Sequence, residues 1–330
     1  MSHELIPLTD GEAWDRALAD IPHPHAHTRR HVAAFQASSP DEALLYVHRD
    51  AHGAADVACP IAVRGAPGER DAYTPYGFGG FAAARPVPTF AAEWDSFAGA
   101  NGWVASYVFQ SPLLDPDLGF PVGAFVPVGA CYVLDLGRPV DDLLARTSPR
   151  RRAELRRWAR GHHDLTSDPA EVTAFLIAEA AAFFAARDAA PIYRLSGATW
   201  ADLISSPTVW CVAAREDGRV AAASVFGESC GMVDYLFGIS RPGASAYSAP
   251  LLWEAVTHFV GTSAITLNLG GGITPGDGVA EFKRRFGPDE LTFSSGRFVH
   301  RRDAYGDLCR RAGVGEDRDG YFPPYRRVRS

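Results

Sequence analysis

The sequence predicts an α+β fold of two units, each a mixed, mostly antiparallel sheet flanked by helices. Three observations predict it. A chain of 330 residues exceeds the usual single domain of about 100 to 200 residues. Short strand-like apolar runs, punctuated by glycine and proline, alternate with helical periodicities in both halves. Between the halves stands an arginine-rich segment, Arg146 to Arg160, whose composition differs from both flanks. With 47% hydrophobic and 22% charged residues, the chain has the composition of a protein that buries a substantial core.

The first unit is expected over residues 1–145. Short helices near Glu12 to Ala19 and Thr28 to Ala37 precede strand-like Leu44 to His48 and Asp56 to Val63. The loop Tyr73-Thr74-Pro75-Tyr76-Gly77-Phe78-Gly79-Gly80 follows, marked as irregular by its proline and glycines. A helical stretch around Thr89 to Ala100, a strand at Trp103 to Phe109 and a strand at Ala130 to Leu136 complete the unit. Asp141-Asp142 suit the first turn of a helix, where the dipole favours carboxylates. A basic connecting helix then occupies 146–165. Ser148 is placed to cap it, and Pro149 takes the first helical position, where a missing N–H costs nothing. Leu155, Trp158 and Ala159 fall on one face, while Arg152, Arg156 and Arg160 recur every fourth residue on another.

The second unit is expected over 166–302. Asp168-Pro169-Ala170-Glu171 has the form of a capping box and opens a helix over 169–187, with Val172, Phe175, Leu176, Phe183 and Phe184 at helical spacing. Strands at Val209 to Ala214 and Val220 to Phe226 are joined at Asp217-Gly218 as a hairpin, and Met232 to Ile239 extends them to a meander. A helix near Pro250 to Val260, a strand at Ala264 to Leu269, a helix near Val279 to Phe286 and a strand at Leu291 to Val299 end the unit. Residues 303–330, rich in charge and proline, are expected as a peripheral tail.

Composition excludes several classes of function. Cys59, Cys131, Cys211, Cys230 and Cys309 are an odd number without a C-x-x-C pair, which argues against a disulfide framework or zinc ribbon. No apolar run of about 18 residues and no basic N-terminus leading into an apolar stretch is present, so no membrane insertion is expected and the cytoplasm is the expected location. His23, His25, His27 and His31 are broken by prolines and lack a carboxylate partner, and no metal is expected. No G-x-S-x-G elbow supports a serine hydrolase. The net charge of -7 opposes nucleic acid unless positive charge is gathered locally. It is gathered between Arg146 and Arg160, where seven arginines face the single acid Glu154.

Lys283 is the only lysine. It lies in Glu281-Phe282-Lys283-Arg284-Arg285-Phe286-Gly287, shortly after Asn268-Leu269-Gly270-Gly271-Gly272. A lone ammonium among arginines suggests a place where a compact donor does what a planar guanidinium cannot. The order of elements in the second unit, the Asn-Leu-Gly-Gly-Gly turn, the Phe-Lys pair, the basic helix from Ser148 to Gly161 and the aromatic loop from Tyr73 to Gly80 together resemble the Fem-type aminoacyl-tRNA-dependent transferases, the FemA/FemB/FemX group. The resemblance covers roughly residues 20 to 300. It implies two GNAT-like domains that move an aminoacyl group from tRNA to an amine, with activity dependent on Phe282 and Lys283. It implies aminoacyl-tRNA as co-substrate with no other cofactor, and an amine-bearing small molecule or peptide as acceptor.

In that reading Lys283 directs its ammonium at the ester oxygens and Phe282 shapes the same wall. Tyr73, Tyr76, Gly79, Arg150, Arg152, Tyr235, Asn268, Gly270 and Gly271 are the candidate substrate-binding residues. Arg156, Arg157, Arg160, Arg284 and Arg285 are the candidates for tRNA phosphates. One departure from the family is that no long helical hairpin interrupts the second unit. That absence, with the arginine- and alanine-rich composition, favours specialised peptide metabolism such as nucleoside-peptide antibiotic assembly over wall cross-bridging. An acyl-CoA-dependent N-acyltransferase is the alternative enzyme. It is disfavoured because Arg241-Pro242-Gly243-Ala244-Ser245-Ala246 does not fit the glycine-rich loop that lays a CoA pyrophosphate on backbone N–H groups. A non-catalytic tRNA- or peptide-binding module is the alternative outside enzymes.

Overall fold

The computed structural model describes residues 1–272, 274 and 276–327. In chain order its elements are β1 (Ser2–Pro7), α1 (Gly11–Leu18), α2 (Arg29–Gln36), β2 (Glu42–Arg49), β3 (Ala55–Arg64), β4 (Arg70–Tyr73), β5 (Ala82–Ala83), α3 (Phe90–Ala100), β6 (Trp103–Gln110) and β7 (Phe125–Asp135). There follow α4 (Val140–Arg146), α5 (Pro149–Ala159), β8 (Leu165–Thr166), α6 (Pro169–Ala185), α7 (Gly197–Ile204), β9 (Val209–Glu216), β10 (Arg219–Ser229), β11 (Met232–Ser240), α8 (Ser248–Phe259), β12 (Thr266–Gly271), α9 (Gly278–Arg284), β13 (Asp289–Val299) and α10 (Arg302–Ala312).

The chain forms two units. Unit 1 comprises residues 1–128 and 292–330, and unit 2 comprises 129–291. Both are built to one plan. In unit 1, β1, β2, β3 and β4 pair antiparallel, α3 crosses over to put β6 parallel to β4, and β13 closes antiparallel to β6. In unit 2, β8, β9, β10 and β11 pair antiparallel, α8 crosses over to put β12 parallel to β11, and residues of β7 close antiparallel to β12. A parallel step needs a long crossover, and a helix supplies it both times.

These boundaries correct the expected ones. The strand near 130–136 belongs to unit 2, the strand near 291–299 belongs to unit 1, and the basic helix lies inside unit 2. Apolar alternation marks a strand but does not name its partner. Nor are residues 303–327 a loose tail. Tyr305, Leu308 and Cys309 of α10 and Phe322 bury themselves against Val104 and Ala105 of β6, and Asp71 accepts hydrogen bonds from Tyr325 (2.6 Å) and Arg326 (2.7 Å). The last three residues of the expected tail lie outside the described residues.

Local signals act largely as expected. Asp217 (φ 53°) and Gly218 (φ 72°) both take positive φ, the requirement of the two-residue hairpin turn that suits strand twist. Asp141 and Asp142 sit in the first turn of α4. Ser148 accepts from the Arg151 N–H at 3.3 Å with Pro149 behind it. Asp168 caps α6 through the Ala170 N–H at 2.9 Å, but Glu171 does not complete the box. Its carboxylate takes two hydrogen bonds from Arg215 instead, at 2.7 and 2.6 Å, because a bidentate guanidinium outcompetes one backbone N–H. On α5, Leu155 is buried and Trp158 half-buried as expected, whereas Ala159 is exposed.

Candidate functional site

The site in unit 2 is assembled by two turns. Asn268 lies within the buried stretch of β12 and spends its side chain on structure: its amide donates to Asp234 on β11 at 2.9 Å, and its oxygen accepts from the Gly270 N–H at 2.8 Å. Gly270 takes φ 78°, a conformation that glycine enters at no steric cost, and this aims the Gly271 carbonyl inward. The second turn is the start of α9, where Asp277 accepts from Ala280 N–H (2.7 Å) and Thr274 N–H (2.9 Å). One turn later, Lys283 reaches back so that Nζ donates to the Gly271 carbonyl at 2.6 Å.

Lys283 is only 8% exposed. Burial pushes its ammonium down to about 8, opposed by the Asp277 carboxylate and Cys131. Cys131, opposite Gly271 in the strand register, is itself pushed up to about 12 by burial and by Asp234, with Lys283 acting the other way. A proton therefore stays on Lys283 through most of the neutral range while the thiol beside it stays uncharged.

Phe282 packs against the unit 2 core, and Arg151 completes its setting. The Arg151 guanidinium lies 5.1 Å above the Phe282 ring and 4.6 Å above the Phe286 ring, donates to Glu154 at 2.7 Å, and is 94% buried with its Nε among the buried donors lacking a described partner. Backbone contacts add to the grip: Ser148 N–H donates to the Arg285 carbonyl at 2.9 Å, and Arg146 Nε to the Gly287 carbonyl at 3.0 Å. The sequence places Arg151 in the basic connecting helix but gives no direct sign of this role. The one signal is its spacing, because Arg151 shares the inward side of α5 with Leu155.

The remaining arginines divide. Arg152 turns inward and caps α4, donating to the carbonyls of Leu144 (3.1 Å), Ala145 (2.5 Å) and Thr147 (2.8 Å). Arg150, Arg156, Arg157 and Arg160 are exposed and form no ion pair among the described residues. Arg284 pairs with Glu290 at 3.4 Å and lies over Tyr132, and Arg285 pairs with Glu281 at 3.1 Å. Tyr235 stacks on Phe226 with centroids 5.2 Å apart, its hydroxyl pushed up to about 12 by burial. It lies so close over Gly238 that a Cβ there would meet the hydroxyl at 1.8 Å.

Tyr73, Tyr76 and Gly79 belong to unit 1. The Tyr73 hydroxyl donates to Asp41 at 2.6 Å, with the Arg64 guanidinium 5.0 Å over its ring. Tyr76 is 42% exposed and packs its ring on Phe35 at 4.8 Å. The loop is pinned by histidines: His31 Nε2 donates to the Tyr76 carbonyl and His27 Nε2 to the Gly80 carbonyl, both at 2.9 Å. Burial drives both imidazoles down, His27 to about 3 and His31 to about 4, so they serve as neutral donors.

Unit 1 also holds a constellation that sequence spacing could not reveal. Ser106 Oγ lies 2.8 Å from His300 Nε2, and His300 Nδ1 lies 2.7 Å from Asp95. This is the connectivity of a hydrolytic triad with its burial inverted: Ser106 is 1% exposed and the Asp95 side chain 65% exposed. A substrate carbonyl could reach the acid but not the hydroxyl, so the trio ties α3, β6 and the end of β13 together.

No family model and no curated protein matches the sequence. Solved structures do. A crystal structure of FemX superposes with a TM-score of 0.68 over 93% of this chain and 99% of that chain, at 10% identity. The fold is that of the Fem-type proteins, two GNAT-like units. L-PGS from Bacillus licheniformis is similar at a TM-score of 0.58, covering 90% of this chain and 94% of that one at 13% identity. The C-terminal domain of a protein assigned as a lysylphosphatidylglycerol synthetase from Agrobacterium fabrum follows at 0.54, with 95% and 98% covered and 12% identity. At such identities the Fem-type likeness is one of backbone.

Proposed function

We propose that the protein transfers an aminoacyl group from tRNA to the amine of a small-molecule or peptidyl acceptor, forming an amide bond. The observation that carries this reading is Lys283: the only lysine of the chain, buried, protonated at neutral pH and fixed on the Gly271 carbonyl within a Fem-type fold. In the reaction the acceptor nitrogen bonds to the ester carbonyl carbon, the bond from that carbon to the ribose oxygen breaks, and the proton lost by the amine ends on the ribose oxygen. No covalent enzyme intermediate is needed. Negative charge develops on the carbonyl oxygen, and in this reading the two Nζ protons not used on Gly271 meet it. Such a preorganised donor is worth about 2.7 to 4 kcal/mol. The exposed Arg150, Arg156 and Arg157 on α5 and Arg160 just past its end, which form no ion pair among the described residues, offer guanidinium groups to tRNA phosphates. Among the described residues unit 2 has no helix longer than the 17 residues of α6, so no helical arm is on hand for tRNA. The acceptor class to test first in this reading is that of specialised peptide metabolism, such as nucleoside-peptide antibiotic assembly.

Transfer from a pool of charged tRNA, scored by mass spectrometry against a panel of amines, tests the reading. Lys283→Ala should cut transfer about 10²- to 10³-fold, and tRNA binding should weaken steeply with salt. Salt-insensitive binding, saturable CoA binding without tRNA binding, or transfer by Lys283→Ala within a few-fold of wild type would overturn it.

A further inference from the structure

Unit 1 carries a cleft of about 440 Å³ that the reading above does not use. The volume suits a small organic ligand. One side is aromatic: Phe81, Phe120 and Phe125 line it, with Phe120 stacked on Phe81 at 5.6 Å and edge-on to Phe125 at 5.2 Å. The other side is the segment following β6, which brings Asp115 and Asp117 to the rim. Among the described residues, no lysine, arginine or histidine lines the cleft. Of the uncharged polar side chains that line it, Gln110, Ser111, Thr292 and Ser294, Gln110 is consumed by the fold: it accepts from the Phe81 N–H at 2.9 Å and donates to the Phe81 and Leu114 carbonyls, each at 3.2 Å.

The wall is preformed. The Asp117 carbonyl accepts from the Val87 N–H at 2.8 Å, and an Asp117 carboxylate oxygen from the Gly119 N–H at 3.3 Å. Gly119 has φ 69° and lies so close to Pro88 that a Cβ would meet its carbonyl at 1.7 Å. Two carboxylates without a cationic partner in the lining, opposite electron-rich ring faces in a fixed cavity, are complementary to one chemistry.

We propose that this cleft binds an organic ammonium ion with an apolar body, the ammonium at Asp115 and Asp117 and the body against Phe120 and Phe125.

The test is calorimetry on the full chain without tRNA, using 2-phenylethylammonium, the neutral 2-phenylethanol and the anionic 3-phenylpropanoate. The cation should bind about tenfold more tightly than the alcohol, and the anion should not bind. Asp115→Asn and Asp117→Asn should each weaken the cation about fivefold and leave the alcohol unchanged, and Asp117→Asn keeps the acceptor for Gly119. Phe120→Ala should weaken cation and alcohol together. Equal affinity for cation and alcohol, or carboxamide variants that bind the cation as wild type does, overturns the proposal. Because binding is read without tRNA, failure of the transfer reaction and failure of the cleft are separate results.

Discussion

Two loops in this molecule are held by buried basic side chains donating to backbone carbonyls, and the two units use different chemistry for the task. In unit 1, His27 and His31 hold the Gly80 and Tyr76 carbonyls. In unit 2, Lys283 holds that of Gly271. An imidazole is neutral at physiological pH once burial lowers it slightly, so it holds a loop without placing charge in the core. An ammonium pushed down only to about 8 stays charged and bears the desolvation cost. If holding a loop were the whole task, the lysine would be the worse choice. The excess cost in unit 2 is what an electrostatic role in a reaction would explain.

The comparison can be broken most visibly with acid. The folded-state values of His27 and His31, about 3 and about 4, lie below the ordinary 6.5. From pH 6.5 downward the unfolded chain takes up protons that the folded chain refuses, so stability is full above 6.5 and falls as pH drops toward the folded values. His23 and His25, also lowered by burial, add in the same direction. The expected loss by pH 4.5 is on the order of several kcal/mol, read as a falling denaturation midpoint between pH 7 and 4.5. His31→Gln, which keeps a donor for the Tyr76 carbonyl but does not titrate, should flatten the slope. A variant as acid-sensitive as wild type would show that His31 is not among the groups responsible.

What the sequence made legible follows the same division between local and distant. The turn at Asp217-Gly218, the Ser148-Pro149 cap and the order of strands and helices are written in neighbouring residues and appear where expected. The Phe-Lys pair was visible because one lysine among arginines stands out. The partners of β7 and β13 were not legible, since period-two alternation is the same whichever sheet a strand joins. The roles of Arg151 and Arg152 were hidden too: adjacent residues of one type in a basic run go respectively between two rings and onto three carbonyls, a choice made by α4 and α9. The histidine run read as idle because its partners, the Tyr76 and Gly80 carbonyls, lie more than forty positions away.

A smaller effect sharpens the contrast from the other side. Lys283→Met removes a buried charge whose cost at neutral pH is about 3 kcal/mol from the displacement to about 8, and loses one hydrogen bond worth about 1 kcal/mol. The variant should therefore be more stable than wild type by about 1 to 2 kcal/mol at pH 7 while inactive in transfer. Wild type should recover as pH rises from 8 through 10.5, above which the lysine is neutral folded and unfolded, so the advantage of the variant shrinks over that window. Chemical denaturation at pH 7 and pH 10 reads both. A less stable variant at pH 7 would make Lys283 a strut, and the contrast with the histidines would disappear.

The smallest effect on stability concerns how Lys283 is kept dry. Arg151 is buried between Phe282 and Phe286, and its own guanidinium is lowered by burial first, with Glu154 opposing. Arg151→Met keeps an apolar stem between the rings and removes both a desolvation cost and two cation–π contacts, so the net change in stability should stay within about 1 kcal/mol. The local consequence is larger. Without the guanidinium seated on its rings, α9 holds Lys283 less firmly against Gly271, water reaches Nζ, and its titration midpoint moves up from about 8 toward the ordinary lysine range. As the chain has no other lysine, amine-reactive labelling followed by peptide mass spectrometry reports this side chain alone across pH 7 to 11. A midpoint that stays near 8 in Arg151→Met would mean that α9 carries Lys283 without help from α5.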